Sequence, residues 1–290
     1  MAAGFGGQTV VGRLKRVLVK PPYDTDANMA AWRDYGYHWE PDPTRTLQEH
    51  GGFVDLLQGE GVEVVRAKDP QVGRMDSIFV TDPAVITDRG AIVGRMGKEV
   101  RRGEELSMAR ELKRLGIPII HRVRAPATLE GGDVLWLDRT TVVVGHTFRT
   151  NDLGFLQFRE ALGAAVGNCA QVHLPAWKGP GDLLHLTSLI APLDVDLATV
   201  HFPLLPIPLL EILRERDYTL VDVPPEEMRT KGCNVLALGP RKGVMVEGNT
   251  TTQKALEAEG VEVLTFPGQE LCVNRGGGPT CLVLPILREA

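Results

Sequence analysis

The strongest constraint on this chain is an internal repeat. A polar entry residue, two β-type runs, a helical stretch and a third β-type run recur about every 50 residues. The entry residues are Asp76, Glu130, His185, Asn234 and Cys281, spaced 54, 55, 49 and 47 positions apart. In the clearest unit GDVLWLD and TVVVGH form a hairpin-like pair, Leu153 to Val166 is helical, and QVHLP is a strand. SIFVTD and AVITD read as the corresponding runs of the unit before it. Its helix is Glu104 to Leu115, with Leu106, Ala109, Leu112 and Leu115 as apolar positions and Gly116 as its stop.

The last unit ends after its first strand, TCLVLPILRE. Its missing members must come from the N-terminal segment, where RVLVK (16–20) and VEVVRA are strands and Leu47 to Glu60 is a helix closed by Gly61. Sharing one unit between the two ends closes a ring and removes open sheet edges. The expected fold is therefore α/β: a five-bladed ring of ββαβ modules, with the entry residues facing one central channel. One domain is expected over residues 1–290, with its core at 16–287. An open doubly wound sheet is the alternative. It accounts poorly for the hairpins, and the sequence has neither GxGxxG after its first strand nor GxxxxGK[ST].

Charge and cysteine usage narrow the function classes. With 32 basic and 37 acidic side chains the net charge is -5, which argues against nucleic acid as the main partner. No apolar run reaches the roughly 18 residues of a membrane span, and the start has no long apolar core of a secretory signal, so no membrane is expected and the cytoplasm is the default location. Cys169, Cys233, Cys272 and Cys281 are far apart and form no CxxC pair, so no disulfide framework is expected. No HExxH or other familiar ligand spacing occurs; no metal and no cofactor are expected. Cys281 differs in context from the other three, because Gly276 to Gly278 and Pro279-Thr280 lead into it directly before a buried-type strand.

Taken together and in order, FVTDPAV with RRGEE, TLEGGDVLWLD, GHTFRTN, LLHLTS and GGGPTCLVLPI resemble the guanidine-modifying (pentein) superfamily over Arg16 to Leu287. That superfamily includes dimethylarginine dimethylaminohydrolase, arginine deiminase and the amidinotransferases, all five-bladed α/β propellers. The resemblance implies that Cys281 is the nucleophile, His185 the acid/base and Glu130 a carboxylate gripping the guanidinium. It implies Asp82 as second guanidinium ligand, Asp76 at the α-ammonium, and Arg101 and Arg149 on the α-carboxylate, with Arg102 in place of Arg101 if the alignment slips by one. Asp133, Asn234, Thr81 and Thr187 are implied as lining or supporting groups. Asn28, Trp32 and Arg33 lie in a segment reminiscent of a lid.

Three features pull toward different branches. Thr187 stands where deiminases and amidinotransferases usually have a further acid, which favours the dimethylarginine enzymes. The GGGPTC lead-in looks more like the deiminase and dihydrolase branches, and Thr81 stands where the dimethylarginine enzymes often have a glutamate. The expected partner is a small guanidine such as arginine or a methylarginine, with arginine deimination or dihydrolysis and amidino transfer as alternatives, and a non-catalytic ribosome-binding propeller as a remote one. Self-association is compatible with the chain's size, although no sequence feature fixes its symmetry.

Overall fold

The computed structural model describes residues 4–179 and 184–289, and of Asn28 the backbone alone. Strand β1 (Arg13–Val19), helix α1 (Pro43–Gly59) and strand β2 (Glu63–Arg66) form a parallel crossover. Four units with a common order follow: an antiparallel pair, a helix, and a strand parallel to the second member of the pair. They are β3 (Ala84–Thr87), β4 (Gly90–Val93), α2 (Glu104–Arg114) and β5 (Ile119–Arg122), then β6 (Val134–Asp138), β7 (Thr141–His146), α3 (Asp152–Leu162) and β8 (Asn168–His173). Next come β9 (Ile190–Asp194), β10 (Leu197–Val200), α4 (Ile207–Arg214) and β11 (Thr219–Asp222). A short helix α5 (Pro225–Arg229) leads to β12 (Leu236–Gly239), β13 (Lys242–Val246), α6 (Thr250–Ala258) and β14 (Glu262–Phe266). Finally β15 (Leu284–Glu289) pairs antiparallel with β1, so the last strand and the first crossover complete the fifth three-stranded sheet. The five-bladed α/β propeller and its closure through the chain ends are as the repeat requires.

Local chemistry explains the helix starts. Asp42 caps α1 by accepting from the Arg45 amide at 3.0 Å, with Pro43 at the first helical position. Asn151 caps α3 by accepting from the Gly154 amide at 2.9 Å. Each helix then buries an apolar stripe; in α2 it is Met108, Ala109 and Leu112, the last fully buried and contributing about 1.5–3 kcal/mol. Leu106, expected on that stripe, is exposed instead. The inner strands β3, β6, β9, β12 and β15 surround the channel, and between them is an apolar cavity of about 120 Å³ lined by Ala84, Leu135, Trp136, Ala191, Leu236 and Leu284.

The runs just before the inner strands depart from expectation. SIFVTD is not a strand: Met75–Ile78 is a 3-10 helix and β3 begins only at Ala84. The segment ahead of β9 has the same form, with a 3-10 turn at Leu186–Ser188. In the first case the Arg101 guanidinium takes the Asp76 and Phe79 carbonyls, each at 3.2 Å, and withdraws them from any ladder. Apolar periodicity cannot register such a competitor.

Candidate active site

The same local device places two key side chains. Glu130 and His185 are each the extended residue directly before a 3-10 turn, Gly131–Asp133 and Leu186–Ser188, that feeds an inner strand. An extended residue followed by a tight turn directs its side chain toward the mouth end of the channel and leaves the next residues to the core. Asp76, Asp82, Arg101, Arg149, His185 and Cys281 line one cavity of about 630 Å³ at this end. Glu130 lies fully buried beneath it.

Glu130 organises the centre. Its Oε1 accepts from the amides of Gly97 at 2.8 Å and Lys98 at 3.2 Å, while Oε2 sits 2.9 Å from His185 Nε2 and 2.7 Å from Arg149 Nη2. Burial would raise its pKa, but Arg149 and His185 outweigh it and hold the carboxyl well below its ordinary range. His185 also has Asp82 Oδ1 at 3.6 Å from its Nδ1. Burial and Arg149 oppose its protonation; Asp82, Asp133 and the bond to Glu130 prevail, so its pKa is raised. Gly132 makes this packing feasible: a Cβ there would stand 2.4 Å from His185 Nδ1.

Cys281 Sγ has Asn234 Nδ2 at 3.8 Å and Thr280 Oγ1 at 3.9 Å. Burial first, then the negative charge of Asp82, push the thiol above its ordinary value, against smaller opposing effects from the Gly278 backbone, Thr280 and Lys231. Burial and the Asp82 charge both favour the neutral thiol over the thiolate. Asn234 anchors the loop beneath it by accepting from the Thr280 amide at 3.0 Å, and a Cβ on Gly278 would stand 2.4 Å from Asn234. The glycines ahead of Cys281 thus permit close packing against the protein's own side chains.

The acidic and basic groups are arranged in pairs. Asp82 Oδ2 accepts from Arg101 Nη1, and Arg101, almost fully buried, also donates to Glu104 Oε2 at 2.8 Å. Burial, together with Asp76 and Asp82, pushes Glu104 to about 7 despite Arg101. Lys98 Nζ donates to Asp76 Oδ2 at 2.6 Å and to the Tyr35 carbonyl at 2.7 Å. Burial disfavours the Asp76 charge, but Lys98 and Arg101 hold its pKa down. Asp82 Oδ1 and Asp76 Oδ1 are buried and lack a full hydrogen bond among the described residues, with His185 Nδ1 3.6 Å from the former and Tyr37 beside Asp76. Both residues line the cavity, where such oxygens can accept N–H bonds.

The other expected residues fall around this centre. Asp133 is buried, accepting from Thr147 Oγ1 at 2.8 Å and the Leu186 amide at 3.0 Å, and so ties two walls together. Thr81 and Thr187 line the apolar channel cavity, with Thr187 Oγ1 donating to the Gly132 carbonyl at 2.8 Å. Arg102 is exposed and pairs with Glu99 at 3.6 Å. Of the segment reminiscent of a lid, Arg33 lines the cavity with Tyr35 and Gly36. Trp32 packs on the Tyr35, Tyr37 and Met75 cluster, while the Asn28 side chain lies outside the described residues. Lys98, Glu104 and Arg275 went unnoticed in the sequence. Arg275 grips Asp26 at 2.6 Å and so fastens that segment to the loop before Cys281. A second cavity, of about 540 Å³, meets the first at Gly36, Ser188, Gly276 and Cys281.

Asp82, Glu130 and His185 bring donor atoms within 4.8 Å of one another. They do not fit a cation site well, since Glu130 is already bonded to His185 and faces Arg149, and Asp82 is bonded to Arg101. Among the described residues no helix is long and apolar enough to cross a membrane.

Comparison with known proteins agrees with this fold. A model of the family described as N,N dimethylarginine dimethylhydrolase, eukaryotic, matches residues 23–288. The chain is 32% identical over 236 residues to the N(G),N(G)-dimethylarginine dimethylaminohydrolase of Streptomyces coelicolor, covering 79% of this chain and 83% of that protein. The structure of a cysteine-to-serine mutant of DDAH from Pseudomonas aeruginosa, complexed with citrulline, is similar at a TM-score of 0.76 and 24% identity, over 94% of this chain and 99% of that one. The N-terminal domain of ArgZ, a cyanobacterial arginine dihydrolase, is similar at a TM-score of 0.80 and 19% identity, over 94% and 98%. These two structural likenesses bear on the fold alone.

Proposed function

The chain belongs to the dimethylarginine dimethylaminohydrolase family of the guanidine-modifying pentein superfamily, whose chemistry is hydrolysis or transfer at a guanidine group, and we propose that it hydrolyses an N-methylated arginine to citrulline and an amine as a single catalytic domain. The observation that carries this reading is the pair of unsatisfied acceptors, Asp82 Oδ1 and Asp76 Oδ1, in the cavity that Cys281 and His185 also line. A guanidinium at Asp82 and an ammonium at Asp76 supply the missing donors at the two ends of one arginine-like molecule.

The charges suggest how binding and activation are coupled. Arg149 stands at Glu130 and within 3.9 Å of Asp82, where a substrate guanidinium would be held. On binding, the substrate guanidinium takes that place and Arg149 swings to the substrate carboxylate; Arg101, held by Glu104 and Asp82, contributes its field. Burial and the Asp82 charge keep Cys281 protonated; the arriving cation offsets the latter, so the thiol releases its proton to solvent and thiolate forms beside its target. Sulfur attacks the guanidinium carbon to give a tetrahedral adduct. His185 gives its proton to the departing amine, the C–N bond breaks, and an S-alkylthiouronium remains. The neutral imidazole then takes a proton from water as its oxygen adds to the same carbon. The C–S bond breaks as the adduct's O–H proton passes to solvent, neutral citrulline leaves, and the thiolate and protonated His185 are restored.

Methylated arginine is preferred over arginine because Thr187, where a further acid would stand, bonds to the Gly132 carbonyl and faces the apolar channel. A panel of arginine, mono- and dimethylarginine, agmatine and an amidine with an acceptor amine, read by product mass, tests the choice. Dimethylamine or methylamine is expected as the fastest-formed product. Ammonia from plain arginine as the best reaction would overturn the substrate and keep the guanidine chemistry.

A further inference from the structure

GHTFRTN contributes Arg149 to the cavity, but its histidine has no part in the site. His146 ends β7 and His173 ends β8, and they are register partners in this parallel pair, so their side chains stand on one face. Their ring centroids are 4.5 Å apart. Asp152, the first residue of α3, brings Oδ1 to 3.6 Å from His146 Nε2. One donor atom from each of the three lies within 4.8 Å of the other two. We propose that His146, His173 and Asp152 bind a divalent transition-metal ion of the Zn²⁺ type, and that the bound ion braces the loop between His146 and Asp152.

Two imidazoles and one carboxylate are a donor set suited to Zn²⁺, with the remaining position open to water. Metal–ligand bonds of about 2.0–2.1 Å place tetrahedral donors about 3.3 Å apart. Closing from the present spacing requires only side-chain rotation, because His173 and Asp152 are exposed and His146 is partly so. The anchors are rigid: two paired strand ends and a capped helix start. Unlike the trio at the channel mouth, this one faces no guanidinium among its recorded partners. Its position gives it a consequence, since residues 147–151 carry Phe148 and Arg149 into the substrate cavity. An ion bridging both ends of that loop limits how far Arg149 moves.

The test uses the full chain stripped with chelator and dialysed against Zn²⁺. Wild type and C281S are expected to bind one ion at this trio. Loss of a supporting contact alone weakens metal sites 10- to 100-fold, so H146A and H173A are expected to bind at least ~10-fold more weakly, with turnover in chelator unchanged. Cobalt-loaded protein should show ligand-field bands without a thiolate charge-transfer band, and Zn²⁺ should slow hydrogen exchange across 147–151. Equal affinity in H146A and H173A, loss confined to C281S, or no ion bound by wild type would overturn the site; unchanged exchange in the metal-bound protein would overturn the bracing. Should the alanine variants fold poorly, H173Q serves the same comparison.

Discussion

At one end of the channel the inner strands begin beneath Asp76, Asp82, Glu130, Arg101, Arg149, His185 and Cys281, all buried. Past Thr81, Thr187 and Thr280 the same strands enclose a cavity of Ala84, Leu135, Trp136, Ala191, Leu236 and Leu284, with Thr9 and Val10 also lining it. The backbone repeat is common to both regions. They differ in what the turns before the strands do: a 3-10 turn after an extended residue aims His185 into the mouth and Glu130 to the buried layer beneath it, and strand geometry then returns apolar residues to the axis. Burial alone therefore says little about function here. The charged cluster leaves carboxylate oxygens short of hydrogen bonds; the apolar cluster is held mainly by packing, with Trp136 Nε1 its one unpaired side-chain polar atom among the described lining residues.

The difference between the two regions can be broken most directly at the thiols. C281S is expected to lower turnover by roughly 10³-fold or more, as loss of a nucleophile does. C272A removes an equally buried thiol from the core cluster and should leave kcat within about 2-fold. Comparable losses in both would mean that Cys281 acts only through packing. H185A is expected to cost about 10²–10⁴-fold in kcat, with partial rescue by added imidazole; that range is usual for a positioned acid/base. A loss in KM alone would remove His185 from the proton transfers.

Much of this contrast was legible in the sequence. The period and the unfinished last unit demanded ring closure, and the β15–β1 pairing provides it. Glu130, His185 and Cys281 could be read because each occupies the same place in its repeat. The pairing of charges could not, because Lys98 with Asp76 and Arg101 with Asp82 are joined by the fold across 22 and 19 positions that no helix or strand spacing links. Arg275 was equally hidden, since its partner Asp26 is 249 residues away. The turns before the inner strands were misread for a related reason: side-chain bonds, not apolar periodicity, decide them.

A third test addresses stability. E130Q leaves Arg149 and His185 without their anionic partner; breaking one member of a buried pair costs about 3–5 kcal/mol. L135A, in the aliphatic region, is expected to cost a similar 2–5 kcal/mol while leaving kcat within about 2-fold. Thermal melts and initial rates of both variants separate the regions; a strong kcat loss in L135A would merge them.

The smallest expected effect is on the pH profile of stability. The depressed Glu130 contributes stability that is present above its ordinary 4.5 and is lost as pH falls toward its lower folded value. The raised His185 contributes stability that is fully present below 6.5 and is lost as pH rises through its higher folded value. Melting temperature should therefore fall on both sides of that window, and E130Q should flatten the acid limb. An unchanged acid limb in E130Q would assign the loss to other carboxylates.

The central claim is that the charged end of the channel acts through a covalent bond to Cys281. Acid-quenching the enzyme within its first turnovers of a methylarginine, followed by peptide mass mapping, tests it directly. The expected result is a transient adduct on the Cys281 peptide with the mass of the substrate less its departing amine, and none on the Cys272 peptide. Continued turnover with Cys281 unmodified at every quench time, together with a full rate in C281S, would contradict it.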